Sequence, residues 1–449
     1  MDKSLYLIAA AALAATILWS PPAETQRSRL VIDEDRVSAW IEDSQSALKA
    51  PVLAVGIVRP DEDLFLEVFG PAEVDSRFLI GPLSQSVTAM ALLLVMEDHE
   101  ELTLESPAST WVDDVPSTIT IGHLLRHESG LQAPHGFSPW TATDASLKHL
   151  LQEATWNPPG AVEPQDLNYA ILGAVIEAVA GEPYAAIVAE RIFEPLGMEN
   201  SSATSELAQA RLVEGHQYYF GFPAAREEPA FNPVIVPARF VTMSPRDMST
   251  WLRLFLNEGR VDDEQVIPSE IVETFREEGL RSSGATATFT SAMALADDED
   301  IGAFVFANTN SWNASGPTRI LDGVLASLAM EDPPRGSNFE FLVRIFLGFL
   351  LLIAVINCLY EFLRWLQIRS FKLNRREAVV ALVAFGLGAA AVAAVWLLYM
   401  PLPVLHATQP DLALALVLFA TLIPLSRLFT GFMKTFRSDA KSVTKYFGF

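Results

Sequence analysis

Apolar and polar positions fall into three regimes along the chain. Leu5 to Trp19 form one unbroken apolar run behind the charged start Met1-Asp2-Lys3. Three further runs, Phe341–Leu363, Ala378–Met400 and Leu412–Met433, occupy the other end, each near the ~20 residues a helix needs to cross a bilayer. Between them the pattern is that of a globular domain. From Asp35 to Leu48 the apolar residues Val37, Trp40, Ile41 and Leu48 recur at helical spacing, behind an acidic start that suits a helix N-terminus. Val52–Val58 and Leu64–Phe69 are strand-like runs joined by the turn-forming Arg59-Pro60-Asp61-Glu62-Asp63. Near the domain's end, Ser291–Leu295 and Ile301–Ala307 form a second strand pair and Thr318–Met330 a closing helix. Strands from both ends with helices between them predict one α+β unit: an antiparallel sheet with helices, built by the two termini, and a three-helix transmembrane bundle after it. The first and last helices are expected on the same sheet face, because the strands they flank are neighbours.

Charge sharpens the division. Residues 1–338 hold 20 Lys and Arg against 50 Asp and Glu, whereas residues 339–449 hold 11 against 5. So acidic a domain repels nucleic acid, which excludes a nucleic-acid partner. The loop between the first and second runs carries Arg364, Arg369, Lys372, Arg375 and Arg376, and the loop Pro401–Asp411 carries no Lys or Arg. By the positive-inside rule the basic loop is cytoplasmic and the acidic domain lies outside, as in the periplasm of a bacterial inner-membrane protein. The N-terminal run gives the same orientation, reading as the n- and h-regions of an export signal over residues 1–23. Ser20-Pro21-Pro22-Ala23 departs from a small-x-small cleavage site, so a cleaved peptide and a retained anchor both stay open. The domains expected are therefore 1–23, an extracytoplasmic unit 24–338 and a membrane unit 339–449. The single cysteine, Cys358, and seven scattered histidines without an HExxH pattern offer no disulfide, metal site or cofactor site.

Four stretches then become recognisable: Phe78-Leu79-Ile80-Gly81-Pro82-Leu83-Ser84-Gln85-Ser86-Val87-Thr88-Ala89; Ile121-Gly122-His123-Leu124-Leu125-Arg126-His127-Glu128-Ser129-Gly130-Leu131; Pro159-Gly160 with Asn168-Tyr169-Ala170-Ile171-Leu172-Gly173; and Glu194-Pro195-Leu196-Gly197-Met198. Their order and spacing resemble the β-lactamase-related serine hydrolases and penicillin-binding proteins of the class C type. With an export segment before and three spans after, the chain is similar to the colibactin-activating branch of periplasmic peptidases, which trims acylated prodrug peptides.

That resemblance implies a nucleophilic serine in an SxxK motif, its lysine one helical turn on and able to take the hydroxyl proton. Aligned on Gly81 and Ser84-x-Ser86-x-Thr88-Ala89, this chain has Pro82 at the nucleophile and Gln85 at the lysine. Proline has no nucleophilic atom and glutamine is no base near neutral pH. The family's Tyr-x-Asn falls on Pro164-Gln165-Asp166, and its Lys/His-x-Gly on Ser282-Ser283-Gly284, where only the glycine remains. A glycine- and aromatic-rich strand expected before the third motif is reduced to Glu278–Arg281, so a strand beside that motif is expected to be missing. Ser84, Ser86, Ser282 and Ser283 are fallback nucleophiles, but Ser84 and Ser86 have Val87 and Ala89 three positions on, neither of them a base. Two readings follow: a membrane-tethered, non-catalytic relative that binds a peptide-like or acylated ligand, an active paralogue or a second copy of itself; or a hydrolase with a rebuilt site.

Overall fold

The strand runs nearest the two chain ends meet at the centre of the domain. Leu53–Val58 (β1) pairs antiparallel with Asp63–Phe69 (β2) on one side and with Ile301–Ala307 (β5) on the other, in register Leu53↔Ala307 to Val58↔Gly302. Thr290–Ala296 (β4) pairs with β5, and Ser282–Ala285 (β3) with β4, giving the antiparallel order β3-β4-β5-β1-β2. Every residue of β1 and β5 is buried, which accounts for their unbroken apolar sequences: both faces of these strands are covered. Among the described residues no strand pairs with the outer edge of β3. The computed structural model describes residues 34–328 except 141–142, 205–211, 220–221, 262–263, 277–281, 297–299 and 311–314, together with isolated positions between 345 and 352. The expected export segment 1–23 and, those isolated positions aside, the expected spans 341–363, 378–400 and 412–433 lie outside the described residues. No single helix among the described residues is long and apolar enough to cross a membrane.

Glu34–Leu48 (α1) and Ser315–Leu328 (α8) pack on one sheet face, where Val37, Ile41, Ile320 and Val324 meet Leu53, Val55, Ile57 and Val305 in a single apolar cluster. Burying each such side chain is worth about 1.5–3 kcal/mol. The two helices approach closely because position 323 is glycine: a Cβ there would sit 2.2 Å from the Trp40 indole, whose Nε1 donates to Ile320 O at 3.3 Å. The opposite face, with Ala54, Val58, Phe304 and Phe306, is covered by the larger helical part of the domain. Its helices include Ser84–Asp98 (α2), Ile121–Leu125 (α3), Asp166–Ala180 (α4), Tyr184–Val188 (α5), Val236–Arg239 (α6) and Pro245–Leu256 (α7). Trp251 and Phe255 of α7 are fully buried in this layer, edge to face with ring centroids 5.0 Å apart. The expected shared face of the first and last helices is therefore what the molecule has.

Candidate active-site cleft

A single 3-10 turn, Gly81–Leu83, leads into α2 and carries Pro82 at its middle. Proline fits here because an N–H at a helix start has no intrahelical partner. The turn lies against β3: a Cβ on Gly284 would come within 2.6 Å of Ile80 O and 2.9 Å of Pro82 Cδ, so only glycine permits this approach. Gly81 is constrained in the same way, at φ 59° and with its Cβ position 2.7 Å from Ala285 N. Pro82 and Gly284 are thus close neighbours.

The serines nearby are structural in their bonding. Ser84 is fully buried; its hydroxyl donates to Gly81 O at 2.7 Å and accepts from Val241 N at 3.0 Å. Ser86 donates to Leu83 O at 2.7 Å. Ser283 is exposed on β3 opposite Ala292, and Ser282 stands opposite Met293. Pro164 is exposed and touches none of these groups through a hydrogen bond.

Gln85, one turn beyond Pro82, faces His127. His127 follows α3 with φ 58°, a left-handed conformation that costs a non-glycine residue roughly 1–2 kcal/mol. Its Nε2 lies 3.1 Å from Gln85 Oε1, and its Nδ1 lies 3.0 Å from Asn168 Nδ2 and 3.3 Å from Gln165 N. A backbone N–H can only donate, so Nδ1 accepts, Nε2 carries the proton, and Gln85 must present its carbonyl oxygen to the ring. Asn168 Oδ1 in turn accepts from Ser129 Oγ at 2.7 Å. The bonds form one directional chain, Ser129 to Asn168 to His127 to Gln85. Burial pushes the His127 pKa below its ordinary 6.5, partly opposed by the nearby Asp166 carboxylate, so the ring is neutral at pH 7.

Asp166, in the first turn of α4, is paired with Arg239. The guanidinium binds the carboxylate through Nε and Nη2, both at 2.9 Å, and its Nη1 donates to Ala285 O at 2.6 Å. This clasp joins the start of α4 to the end of β3. It is held in place because α6, which carries Arg239, is tied to α2: Thr88 Oγ1 lies 2.6 Å from Pro237 O and 2.6 Å from Tyr184 OH. Arg239 also lies over the Trp140 ring at 5.9 Å. Trp140 Nε1 donates to Glu228 at 2.9 Å, and that buried carboxylate accepts as well from Thr286 Oγ1, Ala287 N, Thr288 N and Thr288 Oγ1 at 2.5–3.0 Å. Burial raises the Glu228 pKa, and hydrogen bonds from the Thr288 hydroxyl, Ala287 N, the Thr286 hydroxyl and Trp140 oppose the rise. Glu228 therefore pins the turn after β3 to the loops at residues 138–140 and 226–232.

The sequence-derived positions Pro82, Gln85, Asp166 and Gly284 are brought into one cleft; Pro164 and the side chain of Ser283 remain apart from its polar network. Arg239, Glu228, Trp140 and His127 were not singled out from sequence. Among the described residues no cluster of three His, Cys, Asp or Glu is placed to hold a metal ion. Two pockets of about 330 Å³ each lie elsewhere, one lined by Pro60, Arg253 and Arg260, the other by Ala170, Gly173, Tyr184 and Pro237. Neither is lined by Pro82, Gln85 or Gly284, whose neighbourhood is defined by the hydrogen bonds above.

A family model described as beta-lactamase matches residues 37–326. Among characterised proteins, the chain is 30% identical over 128 residues to PbpX of Bacillus subtilis (strain 168), described as a penicillin-binding protein, covering 28% of this chain and 32% of that protein. It is 26% identical over 168 residues to penicillin-binding protein 4* of the same organism (35% and 37% covered) and 28% identical over 170 residues to esterase EstB of Burkholderia gladioli (32% and 43% covered). The chain thus spans only about a third to two fifths of the length of these relatives. Of solved structures, the octameric penicillin-binding protein homologue from Pyrococcus abyssi superposes with a TM-score of 0.56 at 20% identity, over 71% of this chain and 81% of that one. The D-amino acid amidase of Ochrobactrum anthropi SV3, complexed with D-phenylalanine, gives 0.57 at 18% identity over 66% and 99%. At such identities the structures speak for the fold alone.

Proposed function

The chain belongs to the beta-lactamase family, and we propose that Pro82 stands at the position of the family's nucleophile and that the chain is a non-acylating binding module of serine-hydrolase descent, tethered to a membrane. The observation that carries this reading is Pro82 lying against Gly284 at the head of α2. Pro82 offers neither a nucleophilic oxygen nor an amide N–H to stabilise an oxyanion. The neighbouring positions do not supply what it lacks. Gln85 is not a base, Asp166 is neutralised by Arg239, and Ser84 is buried with both its donor and acceptor roles taken. What remains is a polar cleft between α2, α4 and the edge of β3.

On this reading the acidic domain faces the extracytoplasmic side, held by the three C-terminal apolar runs, and takes a peptide-like or acylated ligand, an active paralogue or a second copy of the chain. The basic loop Arg364–Arg376 supports that orientation. The test of catalysis is intact-mass spectrometry of the full chain after incubation with a β-lactam or a fluorophosphonate probe, at concentrations that label an intact relative to completion. No adduct is expected. A stoichiometric adduct on Ser84, Ser86, Ser282 or Ser283 would establish a rebuilt hydrolase instead.

A further inference from the structure

The polar network of the cleft has a direction, and its direction selects a ligand. It starts at the Ser129 hydroxyl, passes through Asn168 and His127, and ends on the carbonyl oxygen of Gln85. Three fixed points set the sense of every bond. Gln165 N–H can only donate to His127 Nδ1. Asn168, donating through Nδ2 to that same nitrogen, must accept Ser129 Oγ–H on its oxygen. His127, accepting at Nδ1, must donate from Nε2. Gln85 consequently has its oxygen committed to the ring and its amide nitrogen turned away from it. That nitrogen has no protein partner among the described residues. Among the described residues the buried side-chain atoms without partners are Arg77 Nε, Ser249 Oγ, Trp251 Nε1 and Arg319 Nε, so Gln85 Nε2 is not sealed in the interior. Gln85 is half-buried, which leaves its N–H groups reachable from the cleft.

Charge narrows the choice further. The cation of the cleft, Arg239, is consumed by Asp166 and Ala285 O, and Arg126, nearby in sequence to His127, pairs with Glu128 at 3.0 Å. A ligand carboxylate would meet no uncommitted cation from these groups, inside a domain carrying a large excess of acidic residues. A ligand amine or other cation would point its own N–H at a donor. The group that fits is an uncharged acceptor. Resting on the reading of the cleft as a non-acylating binding site, we infer that Gln85 is its ligand-reading residue, donating its amide N–H to a neutral carbonyl oxygen of the bound molecule, with His127 and Asn168 as positioning residues.

Benzamide, benzoate and benzamidinium form a near-isosteric set of neutral, anionic and cationic probes for the full chain in lipid nanodiscs, with binding read by saturation-transfer NMR. Benzamide is expected to bind at least about tenfold more tightly than the other two, the scale of one well-placed hydrogen bond. Gln85→Ala should lose that preference. Gln85→Glu, which presents an acceptor where the amide donated, should invert it in favour of benzamidinium; the unfolding midpoint of each variant shows whether it remains folded. Selective ¹⁵N-histidine labelling should find His127 neutral with its proton on Nε2. The inference is overturned by equal binding of benzamide and benzamidinium to the wild-type chain, by benzamide binding that Gln85→Glu leaves unchanged, by a His127 proton on Nδ1, or by no binding of benzamide up to its solubility limit. A covalent adduct with the β-lactam or fluorophosphonate probe would instead defeat the binding-module reading itself, so the two failures are distinguishable.

Discussion

Replacing Asp166 by alanine removes one half of the clasp that spans the cleft. The carboxylate accepts two bonds from Arg239 at 2.9 Å, and the two side chains are only 15% and 20% exposed. A fully exposed pair would contribute about 0.2–1 kcal/mol and removing one partner of a fully buried one would cost about 3–5 kcal/mol. The residual exposure places this pair between the two, and Arg239 keeps its bond to Ala285 O, so a loss of about 2–3 kcal/mol is expected. For a domain of this size that corresponds to a fall of about 5 °C or somewhat more in the unfolding midpoint. Arg239→Ala should cost more, since it also uncovers Ala285 O and removes the cation over Trp140. The assay is thermal or urea unfolding of the wild-type chain, both single variants and the double variant, closed into a double-mutant cycle. A coupling energy of about 1.5 kcal/mol or more is expected, changing little between low and 0.5 M salt because the pair is mostly out of solvent. A coupling below about 0.5 kcal/mol would refute the clasp and reduce the pair to a surface contact.

Glu228→Ala leaves the N–H groups of Trp140 and Ala287 without their acceptor; urea unfolding should show a loss of about 3–4 kcal/mol, with a smaller loss for Glu228→Gln, which keeps one acceptor oxygen. Ser84→Ala should cost about 1–2 kcal/mol by the same measurement, through the lost bonds to Gly81 O and Val241 N, and should not alter covalent probe labelling. The folded-state pKa of His127 lies below its unfolded 6.5, so between those two values the unfolded chain binds more protons: the His127 contribution to stability should rise with pH through that window and be level on either side of it, and a His127→Gln variant should lose that part of the pH dependence of its unfolding midpoint. Restoring Pro82→Ser together with Gln85→Lys should give under about one hundredth of the hydrolysis rate of an intact relative, because catalytic groups act as a unit and the second and third motifs remain altered; a chromogenic β-lactam or ester measures this, and a rate above one tenth would overturn it.

The fold was legible where its causes are local. The helical spacing of Val37, Trp40, Ile41 and Leu48 marks α1, and the apolar runs Leu53–Val58 and Ile301–Ala307 mark strands covered on both faces. The family register placed Pro82, Gln85 and Gly284 together because the spacing of the flanking glycines survives. The partners of these residues were not legible. Arg239 lies 73 residues from Asp166, and Glu228 lies 58 to 60 from the turn it anchors. Neither has a motif around it, and nothing in a local pattern tells a buried acid from an exposed one in so acidic a domain. The one available signal was the acidic residue at the start of α4, which the helix dipole alone accounts for.

On the proposed reading, the partners of Gln85 and Asp166 are what an ordered binding site requires. A lysine replaced at random would leave a mismatched group in a half-buried place; the Gln85 oxygen instead accepts the end of a directional chain that runs back to Ser129. A carboxylate placed at random beside β3 would stay unpaired at a cost of several kcal/mol; Asp166 instead has a bidentate guanidinium that also covers an outward-facing strand carbonyl. The outward direction follows from the Thr286 N to Phe289 O bond, which sets Gly284 toward β4 and Ser283 and Ala285 away from it. Arg239 therefore caps Ala285 O on the open edge of β3 and leaves the N–H of Ala285 beside Gly81.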